Sequence, residues 1–122
     1  MLLVEEKPDF EYVLRGADGA SARVNERTLS ASFILSPDTL LEDWPAGPAA
    51  ALDAEAMAPL LALGPEVVIL GTGDRQHFPA AAMAACLQRG IGIECMGNAA
   101  AARTYNVLAG EGRRVVAAFL LG

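Results

Sequence analysis

The segment EVVILGTGDRQHFPAAAMAACLQRGIGIEC, residues 66–95, decides the fold. Its first part, residues 66–70, is mostly aliphatic, which predicts a strand covered on both faces of a sheet. Residues 78–90 predict a helix, because a proline stands in the first turn and a glycine just past the end. Residues 91–95 predict a second strand. The segment is therefore read as strand, helix and strand.

The same alternation continues on both sides of this segment. Residues 52–64 predict a helix that begins after Asp53 as the N-cap, and residues 98–112 predict a helix capped by Asn98. An apolar last strand is predicted over 114–122. Strands that alternate with helices build a sheet with helices packed on it, so the expected class is α/β.

The N-terminal third predicts strands. Residues 10–15, 20–25 and 28–36 partly alternate polar and apolar side chains, and short turns between them favour an antiparallel β meander. Residues 36–48 contain three prolines and a glycine, which predicts a loop with one helical turn at most. Trp44 is expected to anchor that loop on the core.

Composition restricts the class of protein. A chain of 122 residues is expected to form one domain with a single core, and 53% hydrophobic residues argue against disorder. The net charge of −6 disfavours nucleic acid as a partner. No apolar run approaches the roughly 20 residues that span a bilayer, and the acidic start resembles no targeting signal. We therefore expect a cytoplasmic protein without a membrane segment.

Two cysteines and one histidine limit metal and redox chemistry. Cys86 and Cys95 lie nine positions apart without a CxxC motif, so both are expected to be buried thiols, with neither a zinc site nor a disulfide. His77 is the only histidine. It could act as a general base, but the sequence places no obvious nucleophile and orienting acid beside it. The sequence predicts no metal and no cofactor.

The turn GTGDRQ, residues 71–76, invites comparison with phosphate-binding loops. A dinucleotide fingerprint requires glycine at its sixth position, where this chain has Gln76. A Walker A loop requires a lysine after its glycines, and the only lysine is Lys7. Both motifs are excluded. The glycine pair is then either a structural turn or a small anion cradle to which Arg75 adds charge.

Glu94 is the most informative carboxylate of the second half. Alternation in the predicted strand 91–95 places it on the opposite side from Ile91, Ile93 and Cys95. If helices cover both faces, Glu94 lies at the edge of the core and needs a partner. Arg103 or Arg75 could keep it ionised. Glu94 is thus either a site acid or a member of a structural ion pair.

The last helix has two predicted faces. Helical spacing predicts that Ala100, Thr104, Val107 and Leu108 face the sheet. Arg103 and Asn106 share a different face, where they fit a pocket rim, a partner surface or a network with Glu94.

Three stretches carry a family resemblance: RVNERTLSASFILSPD followed by Trp44, GTGDRQHFP, and GIGIECMGNAAAARTYNVLAGEGRRVVAAFLL. They resemble the small, largely uncharacterised domain family that includes the adipogenesis-associated domain protein of animals and a mitochondrial assembly factor for respiratory complex I. The pattern covers nearly the whole chain. Its positions here are Gly71, Gly73, Glu94, Met96, Arg103, Thr104, Tyr105 and Asn106.

The resemblance implies a three-layer α/β fold at the α+β border, with a central mixed sheet, helices on both sides and no established catalytic activity. One position departs from the pattern. Gly97-Asn98 stands where members often have Asp-Thr, which removes a carboxylate and weakens any acid–base role there.

Three functional hypotheses follow. The preferred one is a non-enzymatic interaction or assembly module with an unidentified protein partner. The second is a binding domain for a small anionic ligand at the loops 71–77 and 96–103. Its suspected residues are Gly71, Thr72, Gly73, Arg75, Glu94, Arg103 and Asn106. The third is a hydrolase-type enzyme that uses Glu94 or His77. A homo-oligomer is a further alternative, because FILS (33–36) or the last strand could form an exposed sheet edge that a second copy would cover.

Overall fold

The computed structural model describes residues 11–122. It contains the following strands: β1 Leu14–Ala17, β2 Ala22–Val24, β3 Arg27–Leu29, β4 Phe33–Ser36, β5 Thr39–Leu41, β6 Val67–Gly71, β7 Gly92–Met96 and β8 Val115–Phe119. The α-helices are α1 Ala54–Leu61, α2 Ala80–Leu87 and α3 Asn98–Gly110, and a 3-10 turn covers Ala49–Ala51. Residue 10 of the first predicted strand, and the targeting signal judged absent from the start, lie outside the described residues.

The central sheet is mixed. Its five strands have the order β5-β4-β8-β6-β7, in which β6 pairs in parallel with both β7 and β8. Strand β4 is antiparallel to β8 and to β5. All five residues of β6 and of β8 are buried, as the aliphatic runs predict. The other three strands form the predicted antiparallel meander, with the order β1-β2-β3.

Two hydrophobic clusters cover the two faces of the central sheet. Helices α1 and α2 pack on one face, where Met57, Leu60 and Cys86 are fully buried. Helix α3 and the meander pack on the other, through residues such as Tyr105 and Leu14. The molecule is therefore the expected three-layer α/β fold, with a central mixed sheet and helices on both sides. None of the described helices has the length and hydropathy that a membrane crossing requires.

The N-terminal strands differ from the prediction in more than one respect. The segment 28–36 is not one strand, because it divides into β3 and β4, which belong to different sheets. The break lies at Ser32, whose hydroxyl accepts a hydrogen bond from the amide of Leu121 (3.0 Å). A further strand, β5, lies inside the predicted loop 36–48. Trp44 anchors that loop as expected, since its indole Nε1 donates to the carbonyl of Ala56 (2.9 Å).

The predicted sheet edges are also wrong. FILS forms β4 and the last apolar run forms β8, and both lie inside the central sheet. The two outermost strands are β5 and β7. Strand β7 contains a glycine and a glutamate at exposed positions, which suits an edge better than the apolar β4 and β8 do.

Helix α3 presents a different face to the sheet from the predicted one. Its buried residues are Asn98, Ala101, Ala102, Tyr105 and Ala109, whereas Val107 is 60% exposed. The buried carboxamide of Asn98 sets this rotation about the helix axis. The Tyr105 hydroxyl lies in the core with no hydrogen-bond partner among residues 11–122, and burial raises its pKa.

Candidate functional site

The carboxyl ends of β6 and β7 lie side by side. Gly71 pairs with Met96 in the parallel register, and the amide of Thr72 donates to the carbonyl of Met96 (2.9 Å). The amide of Asn98 donates in turn to the carbonyl of Gly73 (2.8 Å). The glycine turn and the start of α3 therefore share one rim of the sheet, where α/β proteins commonly bind ligands.

The turn that follows β6 is closed by the side chain of Thr72. Its buried hydroxyl donates to the carbonyl of Arg75 (2.5 Å) and accepts from the amide of His77 (3.1 Å). Gly73 has φ +93°, a conformation that favours glycine. The glycine pair thus has a structural explanation, in which Thr72 links both ends of the turn.

Asn98 connects this turn to two more segments. Its Oδ1 accepts from the amide of Gly73 (3.1 Å), and its Nδ2 donates to the carbonyls of Asp18 and Leu120 (both 2.8 Å). The prediction that Asn98 caps α3 is wrong, because the N-cap is Gly97. The Asn98 side chain bonds to distant segments in place of the amides of its own helix.

An anion cradle would need free amides at this turn. The amides of Thr72, Gly73 and His77 already donate to Met96, Asn98 and Thr72, respectively. In this conformation these three amides are not available to a phosphate or carboxylate, whereas the amides of residues 74–76 donate to no other described residue.

The predicted ion pair of Glu94 does not form. Arg75, Glu94 and Arg103 are all exposed, and no salt bridge joins Glu94 to either arginine. The physical reason is that β7 is an edge strand, where water solvates the carboxylate and little is gained by pairing it. The prediction that Glu94 needs a partner at the edge of the core is therefore wrong.

Asn106 does not face this rim either. Its Nδ2 donates to the carbonyl of Leu14 (2.9 Å), which attaches β1 to α3. The polar residues that the sequence groups on α3 therefore have separate surroundings.

A surface cavity of about 440 Å³ adjoins the turn. Thr72, Gly73, Asp74 and His77 line one side, and residues 46–49 line another. Of the suspected ligand-binding residues, only Thr72 and Gly73 reach it; Gly71, Arg75, Glu94, Arg103 and Asn106 do not. Among the described residues that line it, the titratable side chains are the carboxylate of Asp74 and the imidazole of His77, and none is an arginine. This lining does not favour an anion.

Residues 14–120 match a family described as protein of unknown function (DUF498/DUF598). The chain belongs to this family. No curated protein matches the sequence.

Several solved structures resemble this family member. The NMR structure of a Xanthomonas campestris protein is 57% identical, with a TM-score of 0.84 over 100% of this chain and 93% of the other. A Bordetella parapertussis crystal structure is 33% identical, with a TM-score of 0.84 over 95% and 100%. A Bordetella pertussis NMR structure, described as a Mth938-like domain, is 31% identical, with a TM-score of 0.78 over 98% and 92%. All three were structural genomics targets.

The two cysteines of this family member are free and buried, as predicted. Burial raises the pKa of Cys86 and raises that of Cys95 to about 11. Because thiolate is the reactive species, we expect neither thiol to react with a disulfide reagent at pH 8 in the folded protein. Both should react once the protein is denatured. Labelling of the folded protein at the rate of a free thiol would contradict this. Within residues 11–122, no three His, Cys, Asp or Glu side chains gather closely enough to hold a metal ion.

Sequence reasoning missed an apolar surface on α2, which packs on the face of the sheet opposite α3. Residues 78–87, FPAAAMAACL, contain no charged side chain, yet Phe78 is 65% exposed and Leu87 is 62% exposed. Three alanines of α2 are exposed between them, at positions 80, 81 and 84. We call these five residues the α2 face. The sequence did contain a signal for this surface. A helix with one side exposed to solvent normally has polar residues on that side, and residues 78–87 have no charged residue there.

Proposed function

We propose that this DUF498/DUF598 member is a non-enzymatic protein-interaction or assembly module of the cytoplasm. The observation that carries the proposal is the α2 face, where Phe78 and Leu87 are both more than half exposed. Apolar surface left exposed along one helix is a common feature of protein–protein contacts. The buried free thiols of Cys86 and Cys95 support a reducing compartment.

The surroundings of the α2 face also suit a docking surface. Ile91 and Ile93 are half-buried and pack against the hydrophobic cluster that also contains the buried side of α2. Alanines in the exposed part of α2 give a shallow surface, so a partner can approach the helix closely. Large apolar side chains at the two ends supply the anchors that interfaces use.

Two further points support an interaction role over an enzyme. Glu94, one of the two alternative catalytic residues, lies outside the 440 Å³ cavity that His77 lines. The resemblance to a family that includes a respiratory-complex assembly factor supports assembly as the biological context.

The test is a capture experiment with the full chain as bait in its native cytosol. Wild type should retain a specific protein chain, either a different protein or native copies of itself. The variant Phe78→Ser/Leu87→Ser should retain it at least about tenfold more weakly, because both anchors are lost. Val107→Ser is the matched control: Val107 is as exposed, but it lies on α3, on the other face of the sheet.

The control should bind like wild type. Equal retention by the double variant and wild type, or no specific chain above background, would contradict the proposal.

A further inference from the structure

Among residues 11–122, no strand pairs with the outer side of β7. Strand β7 pairs with β6 and is the last strand of the central sheet. The amide of Gly92 donates to Glu66 (3.2 Å), and the carbonyl of Met96 accepts from Thr72 (2.9 Å). Along a parallel strand, the amide and carbonyl groups of successive residues point alternately to one side and the other. The amides and carbonyls of Gly92, Glu94 and Met96 therefore point toward β6. Ile93 and Cys95 point theirs out of the sheet.

One side chain confirms this direction. Gln76 Nε2 donates to the carbonyl of Cys95 (2.9 Å) from beyond the strand. The carbonyl of Cys95 is therefore occupied. The amide and carbonyl of Ile93 and the amide of Cys95 have no hydrogen bond to another residue of the described chain.

We propose, building on the interaction role above, that the partner at this edge is a second copy of the chain. The two β7 strands pair antiparallel about a two-fold axis and join the two five-stranded sheets. An antiparallel pair exchanges both bonds between facing residues. Because the amide and carbonyl of Ile93 are both free, Ile93 of one copy can exchange two hydrogen bonds with Ile93 of the other.

Two features select the register of this pairing: the charge of Glu94, and the hydrogen bond that already occupies the carbonyl of Cys95. Centring the axis on Glu94 would place two carboxylates directly opposite one another, which is unfavourable. Centring it on Cys95 would require a carbonyl that Gln76 already occupies. Centring it on Ile93 leaves both bonds free to form and places each Glu94 opposite Gly92, which has no side chain. Of these three registers, only the one centred on Ile93 avoids both conflicts.

The same arrangement covers the α2 face. A two-fold axis normal to the sheet keeps corresponding faces on the same side, so the two α2 helices meet across it. The exposed alanines permit close helix packing. Phe78 and Leu87, which lie at opposite ends of α2, would approach the other copy's helix from both ends.

Sedimentation velocity of the full chain tests this, with substitutions at Gly92. A Cβ at Gly92 meets its nearest atoms at 3.8 Å, so the strand accommodates a side chain. Wild type should be a dimer at high micromolar concentration. Gly92→Glu places two carboxylates opposite one another twice per dimer and should raise the dissociation constant about tenfold. Gly92→Lys, of similar size, should hold or tighten the dimer, and Gly92→Glu/Glu94→Lys should restore it.

A monomeric wild type, or equal effects of Gly92→Glu and Gly92→Lys, would overturn the proposal. Deleting residues 1–10 tests whether this segment, and not a second copy, covers the edge of β7. A dimer that appears only after the deletion would show that the segment covers the edge, and this result would also overturn the proposal. A monomeric wild type whose capture of another protein still depends on Phe78 and Leu87 would leave the interaction role standing.

Discussion

Replacing Asn98 with alanine should lower the free energy of unfolding by about 3 kcal/mol, because three hydrogen bonds are lost together. The residue is 1% exposed, and its carboxamide bonds to Gly73, Asp18 and Leu120. Alanine would leave the amide of half-buried Gly73, the carbonyl of buried Leu120 and the carbonyl of exposed Asp18 without this partner. Each such group costs roughly 1–3 kcal/mol when water cannot replace the bond fully.

Urea unfolding followed by tryptophan fluorescence measures this change, since Trp44 is the only tryptophan and is buried. Asn106→Ala is the matched control. It removes the same side chain from the same helix, but only one hydrogen bond, to Leu14, from an exposed residue. We expect it to cost about 1 kcal/mol. If the two variants lose equal stability, the bonds of Asn98 do not act as the anchor of this rim.

Replacing Gly71 with alanine should cost about 2–3 kcal/mol, for a steric reason. A Cβ at this position would overlap Asn98 Oδ1 and lie 2.8 Å from Phe119 Cδ1. Phe119 cannot move aside easily, because it is fully buried and its ring stacks on Phe33 at 5.2 Å between centroids. The same urea titration measures the loss.

Gly110→Ala provides the control for the glycine substitution. No atom lies within 4 Å of its Cβ position, and it ends α3, so alanine should be neutral or stabilise by up to about 1 kcal/mol. A double-mutant cycle sharpens the test. Because Asn98→Ala removes one of the two atoms that clash, the costs of Gly71→Ala and Asn98→Ala should add up to more than that of the double variant. Strict additivity would show that the two sites do not touch.

Local signals predicted much of the fold. The strand–helix–strand unit of β6, α2 and β7 follows from its aliphatic run and from Pro79 at the N-cap of α2. Gly90 has φ +70°, as a glycine past a helix end requires, and Asp53 Oδ1 accepts from the amide of Ala56 at the start of α1. These features depend on residues a few positions apart, so the sequence displays them directly.

The errors come from contacts between distant residues. Nothing at residues 30–32 resembles a turn, and the break between β3 and β4 depends on a bond from Leu121 to Ser32, 89 positions away. The rotation of α3 depends on a bond from Asn98 to Asp18, 80 positions away. An alanine-rich helix offers several similar apolar faces, so periodicity alone could not choose among them.

The candidate site was predicted in part, for a related reason. Adjacent parallel strands bring residues 71–77 and 96–98 together, as the chain order suggests. Whether Glu94 is covered or exposed depends on which strand is outermost, and strand order is a long-range property. For the same reason the sequence could not show that α2 lies beside an open edge.

The position of β8 affects how the protein is made. Residues 115–119 lie between β4 and β6, so the hairpin of β4 and β5 joins β6 and β7 in one sheet only through these residues. On the ribosome, the earlier parts are synthesised first and must wait with apolar strand edges uncovered. Completion of the sheet therefore waits for residues 115–119, and until they emerge the earlier strands keep unpaired edges of the kind that favour misassembly.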